Sequence, residues 1–421
     1  MFDVVKLLNV LSTVALVRLV IGQFLATGDK TQANNNAAQV AVALVVPGGS
    51  EPTLQIYEPS SGHLVPYIGM PWANARHSAA MLWNEDTAEL VVVGGCTVAN
   101  WSAGESSPKQ GCTAADSSNQ VDRFNPARGL WSRTGSRMRL TRVRPSLVLL
   151  DGKLLVCGCQ NGDLGCEHSC EWRPSRDHDA PWTLFNTSVV MHDHVGVLHQ
   201  SDFYTIGGRR SSANENSAYR LQLSATGAAA RSSGRRRDAG RDFDNVRWVK
   251  LSDMRRARCN HAAASDGQRL YVCGGEMRNT CEYYDTTTGR WHKLPVTFRY
   301  DRHALQLVAI GAQRLLALGG YSYVGRGVLN NVDSLMRRYD GLHWEPTGVQ
   351  LNLPSDSHMA AAVPQWRFAG WLNDTFESAS SYNERLLART RTNAATAPVR
   401  HSSPFDLCAL SFLSVCVLRC L

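Results

Sequence analysis

The sequence predicts an all-β protein in which six similar four-stranded sheets close into a ring. Two observations in the 421 residues predict this fold. The first is a pattern that recurs six times: an apolar strand, a turn with two glycines, a strand with Tyr or Phe, and a strand with Trp. The second is that the first copy lacks its first strand, whereas a spare strand-like segment follows the last copy.

The six copies share the glycine pair as their fixed point. The clearest copy covers residues 270–294 and has Gly274-Gly275, Tyr284 and Trp291 as landmarks. The second residues of the six turns are Gly49, Gly95, Cys159, Gly208, Gly275 and Gly320. Successive turns are therefore 46, 64, 49, 67 and 45 residues apart, and insertions lengthen two of the repeats.

These landmarks resemble the kelch motif over residues 41–363, about three quarters of the chain. The resemblance implies a six-bladed kelch β-propeller, in which each copy forms one blade around a central channel. The apolar runs at 270–273 and 315–318 agree with it, because strands buried on both faces are continuously apolar. We expect the Tyr and Trp landmarks to fill the wedges between blades.

The two ends of the repeat region are expected to meet. The first copy begins at its second strand, near residues 42–46, and the spare segment is at 358–363. If the spare segment completes the first blade, the ring has no open sheet edge. We therefore expect 358–363 to pair with 42–46.

Four further segments flank the ring. Residues 1–26 combine Lys6 with a long apolar stretch, which predicts a secretory signal or an uncleaved anchor. Residues 27–40 are predicted to be a polar linker, 364–404 a low-complexity linker and 405–421 an apolar tail. The tail resembles a C-terminal lipid-anchor signal, and otherwise has no assigned use. We expect a secreted or cell-surface protein that meets a membrane only through its leader or tail.

Twelve cysteines favour an oxidising compartment, and so do three glycosylation sequons, at Asn100, Asn186 and Asn373. Aligning the third and fifth copies superimposes two cysteine pairs, which predicts the same cross-strand disulfide twice. The four predicted disulfides join Cys157 with Cys170, Cys273 with Cys281, Cys159 with Cys166, and Cys96 with Cys112. The alternative is a zinc site formed by the crowded cysteines and His168 of the third copy. The fifth copy has the same cross-strand cysteine pair without a second pair nearby, so it could not supply four zinc ligands. Cys259 has no predicted partner.

A histidine recurs in the turn that leads from an outer strand to the next inner strand. Five turns contain one, namely His77, His194, His261, His303 and His358. Because alternate strands run in opposite directions, this turn lies at the same end of the blade as the glycine turn. Arginines accompany the histidines at Arg76, Arg142, Arg144, Arg258 and Arg302.

We predict from these residues a collar of Arg and His around one mouth of the channel. Guanidinium groups suit carboxylates, so an acidic peptide or an acidic sugar would fit there. The alternative is that the collar residues cap strands and hydrogen-bond neighbouring blades. No metal is expected, because positions spread around a ring are too far apart to converge on one ion.

An insertion at 225–245 with five arginines is expected at the opposite end of the blade, as a solvated loop or as a contact for a heparin-like polyanion. Nothing in the sequence indicates nucleic-acid binding. The net charge of +8 comes mostly from arginine side chains, and it is weak evidence for an anionic partner.

The resemblance implies a non-enzymatic platform that binds a protein ligand, without a cofactor and without catalytic residues. Kelch propellers that act as ubiquitin-ligase adaptors carry a BTB domain, which we do not expect here. The alternative is an exported enzyme or lectin acting on an acidic sugar, because the chain is also similar to bacterial sialic acid mutarotases, small kelch rings with arginine-rich mouths. A copper oxidase similar to galactose oxidase is not expected, since the sequence contains no Tyr-His pair.

Overall fold

The computed structural model describes residues 40–46, 53–67, 76–97, 112–160, 165–224, 242–311, 314–325, 327–338, 341–351 and 359–368. These residues all belong to the first of two compact units, Met1–Leu372; the second unit is Asn373–Leu421.

The described residues form six four-stranded antiparallel sheets, which are the predicted blades. From the inner to the outer strand, blade 1 contains Met359–Pro364, Val40–Val46, Thr53–Glu58 and His63–Tyr67. Blade 2 contains Ala80–Asn84, Glu89–Val93, Val121–Asn125 and Leu130–Arg133. Blade 3 contains Ser146–Leu150, Lys153–Cys157, Ser169–Pro174 and Thr183–Asn186.

Blade 4 contains Val195–His199, Asp202–Ile206, Ala218–Ser224 and Asp242–Lys250. Blade 5 contains Ala262–Ser265, Leu270–Cys273, Thr280–Asp285 and Arg290–Thr297. Blade 6 contains Gln306–Gly311, Arg314–Leu318, Asn331–Arg338 and Gly341–Gln350. The predicted count of six blades is confirmed.

Short strands and 3-10 helices lie in the connections between the main strands. Three two-stranded sheets pair Arg76–His77 with Cys96–Thr97, Arg209–Arg210 with Ala213–Asn214, and Tyr321–Ser322 with Gly327–Val328. The described residues also form 3-10 helices at Ala114–Asp116, Cys166–His168 and Gln365–Phe368. No helix in the described part of the chain has the length and apolar character that a membrane span requires.

The ring closes as the sequence predicts. Met359–Pro364 runs antiparallel to Val40–Val46, with Met359 opposite Val45 and Val363 opposite Ala41. The six inner strands contact one another in a closed cycle, because the inner strand of blade 1 touches those of blades 2 and 6. A strand from the far end of the repeat region therefore hides what would be the open edge of blade 1.

The hydrophobic core is divided among the junctions between blades. Five clusters of buried side chains lie at the junctions of blades 2 and 3, 3 and 4, 4 and 5, 5 and 6, and 6 and 1. The landmark aromatics belong to them: Tyr284 and Trp291 pack at 5.2 Å between ring centroids in the cluster of blades 4 and 5. Leu270–Cys273 is buried along its whole length, which explains its unbroken apolar sequence.

Candidate functional site: the mouth of the central channel

The glycine turns at one end of the ring are bonded to the next blade. In blade 5 the N–H of Gly275 donates to the carbonyl oxygen of Arg302, just before blade 6, at 2.9 Å. A Cβ on Gly274 would lie 2.3 Å from the same oxygen, and its φ is +71°. Glycine is thus required both by the close approach and by the left-handed backbone. Equivalent bonds run from Gly95 to Arg142, from Cys159 to Met191 and from Gly208 to Arg258.

The arginine four residues before an inner strand points into its own blade. Arg258 is completely buried, and its guanidinium donates to Glu282 on the third strand at 3.0 Å. It also donates to the carbonyl oxygens of Gly274 and Thr280 at 2.7 and 2.8 Å. Three further buried pairs repeat this arrangement, joining Arg76 with Asp122, Arg142 with Glu171, and Arg302 with Asp333.

Four of the five arginines predicted for the collar are therefore inside the blades. Arg76, Arg142, Arg258 and Arg302 are at most 3% exposed. Their side chains connect the turn before the inner strand to the third strand, and their carbonyl oxygens accept bonds from the preceding blade in three cases. This placement corresponds to the structural alternative for these four residues and leaves their charges neutralised by carboxylates.

Blade 4 replaces the ion pair by an apolar pair. Met191 occupies the position of the arginine and Tyr219 that of the acid, since Tyr219 faces Thr205 as Glu282 faces Val272. Both side chains belong to the cluster between blades 3 and 4. Sequence reasoning missed the acidic partners, although an acid accompanies the arginine in four copies and both are absent together in this one.

The collar histidines occupy two different positions. His194 and His261 directly precede inner strands, and each ring lies against the first glycine of the preceding blade. A Cβ on Gly158 would be 2.4 Å from Cε1 of His194, and one on Gly207 would be 2.7 Å from Cε1 of His261. Burial lowers the pKa of both imidazoles to about 3, so they are neutral packing groups.

His77 and His303 lie two residues earlier in the turn. Their backbones pair with Cys96 and Tyr321, just after the glycine pair of the same blade. Burial lowers the pKa of His77 to about 4, and burial together with the charge of Arg144 lowers that of His303. The His303 ring stacks on Tyr323 with centroids 4.8 Å apart.

Five residues with left-handed backbone form a rim around the channel. These rim residues have φ between 51° and 56° and occupy one equivalent position in blades 2 to 6, namely Ser78, Arg144, Asp193, Asn260 and Ala304. Backbone N–H groups link neighbours in the rim, from Arg144 to Ser78 at 2.7 Å and from Ala304 to Asn260 at 2.8 Å. Left-handed φ is uncommon for residues other than glycine, and its repetition in five blades shows that the ring imposes it.

Arg144 differs from the other four collar arginines. Its half-buried guanidinium reaches from blade 3 to the side-chain oxygen of Asn260 in blade 5, and Nε donates to Oγ of Ser78 at 3.5 Å. Within the described residues no carboxylate lies at ion-pair distance from it. Among the residues that the structure describes, Arg144 is therefore the rim arginine whose charge has no carboxylate partner.

A second polar group lies where blades 4 and 5 meet. Arg209 donates to Oε1 of Glu276 at 2.6 Å and to the thiol sulfur of Cys259 at 3.1 Å. Its Nε is 3.7 Å from the Asp193 carboxylate, and Asn260 also donates to Glu276 at 3.2 Å. Burial raises the pKa of the Cys259 thiol to about 11, so the sulfur is a neutral thiol here.

The rim residues line a cavity of about 250 Å³ at this end of the channel. A second cavity of about 420 Å³ lies further along the inner strands and is lined mainly by apolar side chains, including Leu82, Trp83 and Leu149. Met81, Leu147 and Gly196 line both cavities. The rim end of the channel is therefore polar and the inner part is apolar.

Comparison with known proteins identifies the repeat. A sequence model of the kelch motif matches residues 257–295, which contain the Arg258 turn and most of blade 5. The chain is also similar to the kelch repeat and BTB domain-containing protein 1 of cowpox virus (strain Brighton Red), with 27% identity over 184 residues. Together with the six blades, these matches support a kelch-repeat propeller. The protein is a six-bladed β-propeller with a kelch motif in blade 5.

The two similarities differ in extent. The viral match covers 42% of this chain and 29% of the viral protein, so the chain spans less than a third of that relative. The solved structure of YjhT resembles the propeller with a TM-score of 0.55 at 12% identity, over 72% of this chain and 94% of YjhT. At this identity the likeness to YjhT shows the fold alone.

Four disulfides lie in the described part of the propeller, and they join the pairs that the sequence predicts. Cys157 is directly opposite Cys170, and Cys273 is opposite Cys281, so the second and third strands are crosslinked in blades 3 and 5. Cys159 replaces the second glycine of its turn, bonds to Cys166 and still donates its N–H to blade 4. Cys259 is a buried free thiol.

Some predicted features lie outside the described residues. They are the leader at 1–26, the polar linker apart from Val40, residues 369–404 of the predicted low-complexity linker, the tail, the sequons at Asn100 and Asn373, His358, and most of the arginine-rich insertion. The first residues of the second predicted linker are structured: Pro364 ends the inner strand of blade 1, and Gln365–Phe368 is a 3-10 helix in which Phe368 is buried. Asn186 is described, and it lies exposed at the end of the outer strand of blade 3.

Proposed function

We propose that this kelch propeller is a binding platform that takes a protein ligand at the rim end of its channel and receives a carboxylate of that ligand at Arg144. The observation that supports the proposal is the state of the five collar arginines. Four are buried against carboxylates of their own blades, whereas Arg144 is half-buried and bonded only to neutral groups within the described residues.

The surroundings of Arg144 favour an anionic ligand. Its charge contributes to the lowered pKa of two rim neighbours, His77 and His303, after the larger effect of burial. Those imidazoles are neutral at physiological pH, which leaves the guanidinium as the charged group among these three side chains. A guanidinium held by Ser78 and Asn260 is already oriented, so binding a carboxylate costs little additional side-chain entropy.

The rim also supplies hydrogen-bonding groups beside the charge. Ser78 and Asn260 line the same cavity as Arg144, and so does Asp193, whose carboxylate faces Arg209 at 3.7 Å. The cavity lies at the end of the ring that carries the long connections of blades 4 and 6. Connections on a rigid scaffold are the usual carriers of specificity in repeat folds. We propose that the carboxylate anchors the ligand and that these connections select it.

The test uses the full chain, purified from an oxidising expression host, and a phage-displayed library of random peptides. We expect the selected peptides to be enriched in Asp or Glu. Arg144→Glu should weaken their binding roughly 30-fold or more, because a hydrogen bond to a charged group contributes about 1.5–3 kcal/mol and the reversed charge adds repulsion. Arg128→Glu is the matched control, since Arg128 is exposed in the outer hairpin of blade 2.

Absence of acidic enrichment, or full binding by Arg144→Glu, would contradict the proposal. Calorimetric titration with N-acetylneuraminic acid separates the two sources of a carboxylate. Saturable heat that disappears in Arg144→Glu, without any acidic peptide selected, would assign the site to an acidic sugar instead.

We also propose that the protein works outside the cytosol. The four disulfides support this, because such crosslinks persist in oxidising compartments. When the chain is expressed in a secreting eukaryotic cell, Asn186 should carry a glycan, detected as a mass shift that glycosidase treatment and Asn186→Gln both remove. An unmodified Asn186 in secreted protein would contradict the modification while leaving secretion established.

A further inference from the structure

Exposed apolar side chains are concentrated at the rim end of blades 5 and 6. Of the seven large apolar or aromatic residues exposed within the described residues, four lie on connections at this end: Met277, Tyr300, Tyr323 and Val324, which are 77, 38, 52 and 72% exposed. Exposed apolar patches mark interaction sites on soluble proteins, and these four residues share one end of the ring.

The connection that presents Tyr323 and Val324 is held by one buried carboxylate. Asp301, 6% exposed, accepts the hydroxyl of Ser322 at 2.7 Å and the N–H groups of Tyr323 and Val324 at 3.0 Å each. Hydrogen bonds from these donors lower the pKa of Asp301 below its usual range, against the opposing effect of burial. The carboxylate is therefore ionised at neutral pH and keeps all three bonds.

Further contacts fix the same connection to the turn before blade 6. The backbones of His303 and Tyr321 exchange two hydrogen bonds of 3.0 and 2.8 Å. The Tyr323 ring stacks on His303 and meets the Tyr321 ring edge-on, with centroids 4.8 and 5.3 Å apart. Tyr323 and Val324 are thus exposed on a connection that several hydrogen bonds and ring contacts hold in place, so binding a partner there orders few additional groups.

A chain of hydrogen bonds connects this apolar surface to the Arg144 site. His303 is followed by the rim residue Ala304, whose N–H donates to the backbone oxygen of Asn260. The side-chain oxygen of Asn260 in turn accepts a hydrogen bond from the Arg144 guanidinium. The exposed apolar side chains and the Arg144 charge therefore belong to the same end of the channel and are connected through His303 and Asn260. The chemistry that complements both is a polypeptide segment with a large apolar side chain beside an acidic one.

We propose that Tyr323 and Val324 form the apolar half of a two-part binding site whose other half is Arg144, and that Asp301 is a positioning residue for the apolar half. The partner is a protein segment that carries a large apolar residue next to Asp or Glu. This inference rests on the proposed function and adds the second determinant of the ligand.

The experiment repeats the peptide selection with the full chain and compares the two halves. We expect wild-type protein to select peptides with an apolar position adjacent to an acidic one. The variant Tyr323→Ala/Val324→Ser should lose the apolar preference and bind the selected peptides about tenfold more weakly, while keeping the acidic preference. Leu130→Ala is the matched control, because Leu130 is 47% exposed in blade 2.

Each outcome is decisive. Acidic enrichment without an apolar position, with unchanged binding by Tyr323→Ala/Val324→Ser, overturns this inference and leaves the proposed function standing. Absence of both preferences overturns both. Apolar enrichment alone, lost in Tyr323→Ala/Val324→Ser, overturns the two-part site and the role of Arg144.

The role of Asp301 is tested by a double-mutant cycle. Asp301→Asn should weaken peptide binding in the wild-type background and have no further effect in Tyr323→Ala/Val324→Ser, because it acts through that connection. Ser322→Ala removes one of the three bonds and should give a smaller loss of the same kind, which keeps the test available if Asp301→Asn does not fold. Equal losses from Asp301→Asn in both backgrounds would show a general structural role and overturn the positioning assignment.

Discussion

Removing the buried guanidinium of blade 5 should destabilise the whole propeller. Arg258→Met deletes the ion pair with Glu282 at 3.0 Å and the bonds to the carbonyl oxygens of Gly274 and Thr280. Glu282 is only 1% exposed, and although it keeps a bond of 2.7 Å from the N–H of Arg255, its negative charge is left without a cation. Removing one partner of a buried pair costs about 3–5 kcal/mol.

The magnitude converts to a measurable change in melting temperature. The entropy of unfolding is about 2.1 cal/mol/K per residue, so the roughly 320 residues between Val40 and Pro364 give about 0.7 kcal/mol/K. A loss of about 3–5 kcal/mol then lowers Tm by about 4–7 °C. Tryptophan fluorescence or calorimetry of the purified full chain measures it. Arg290→Met, an exposed arginine on the outer strand of the same blade, is the control and should change stability by less than about 0.5 kcal/mol.

Blade 4 supplies the second half of this test, because it has Met191 and Tyr219 at the same two positions. The double variant Arg258→Met/Glu282→Tyr copies that pair and removes the uncompensated charge. We expect it to be more stable than Arg258→Met, with a coupling free energy of at least about 2 kcal/mol. A change in Tm below 1 °C for Arg258→Met, or a double variant less stable than the single one, would refute the assignment of this pair as a structural element.

Two further predictions concern acid and the crosslinks. Burial holds the pKa of His261 at about 3, well below the value of about 6.5 in an unfolded chain. The neutral imidazole therefore contributes its full stability above pH 6.5. As the pH falls the unfolded chain takes up a proton first, and the free energy of unfolding decreases by about 2 kcal/mol at pH 5. His261→Leu, which copies Leu305 at the same position in blade 6, should reduce the loss of unfolding free energy between pH 7 and 5 by that amount, and an unchanged pH profile would contradict it. Removing the disulfide between Cys157 and Cys170, which closes a loop of 13 residues, should lower the free energy of unfolding by about 3 kcal/mol in denaturant titration. Removing the disulfide between Cys273 and Cys281, which closes a loop of 8 residues, should lower it by about 2.5 kcal/mol. The opposite order would contradict the loop-entropy argument.

The features that the sequence predicted correctly are those fixed by backbone chemistry repeated in every blade. The glycine pair is visible because one glycine must approach the carbonyl oxygen of the next blade, as Gly274 approaches Arg302. The position of each turn therefore gave the number of blades. The disulfides could be predicted for the same reason, since aligned copies place Cys157 and Cys273 at one strand position.

The direction of a side chain in a turn was not predictable from the turn alone. Arg142 and Arg144 are two residues apart, yet one is buried against Glu171 and the other lies at the rim. The left-handed backbone at Arg144 turns its side chain toward the channel. The residue type does not predict this backbone conformation, because Ser, Arg, Asp, Asn and Ala all occur at the equivalent position. Sequence spacing alone therefore could not separate the four buried arginines from the one at the rim.

A comparison among the six copies could have separated the two classes of arginine without coordinates. The arginines four residues before an inner strand occur with an acid on the third strand in blades 2, 3, 5 and 6, and blade 4 lacks both together. Pairing of this kind within one chain indicates that the charge is satisfied inside the blade and is unavailable to a ligand. Arg144 is the only arginine among the described rim positions, and the described residues contain no ion pair to it, so the repeat supplies no partner for its charge. The same reasoning separates structural from exposed charges in any ring of repeated sheets, because a structural pair recurs with the repeat and a binding residue breaks the repetition.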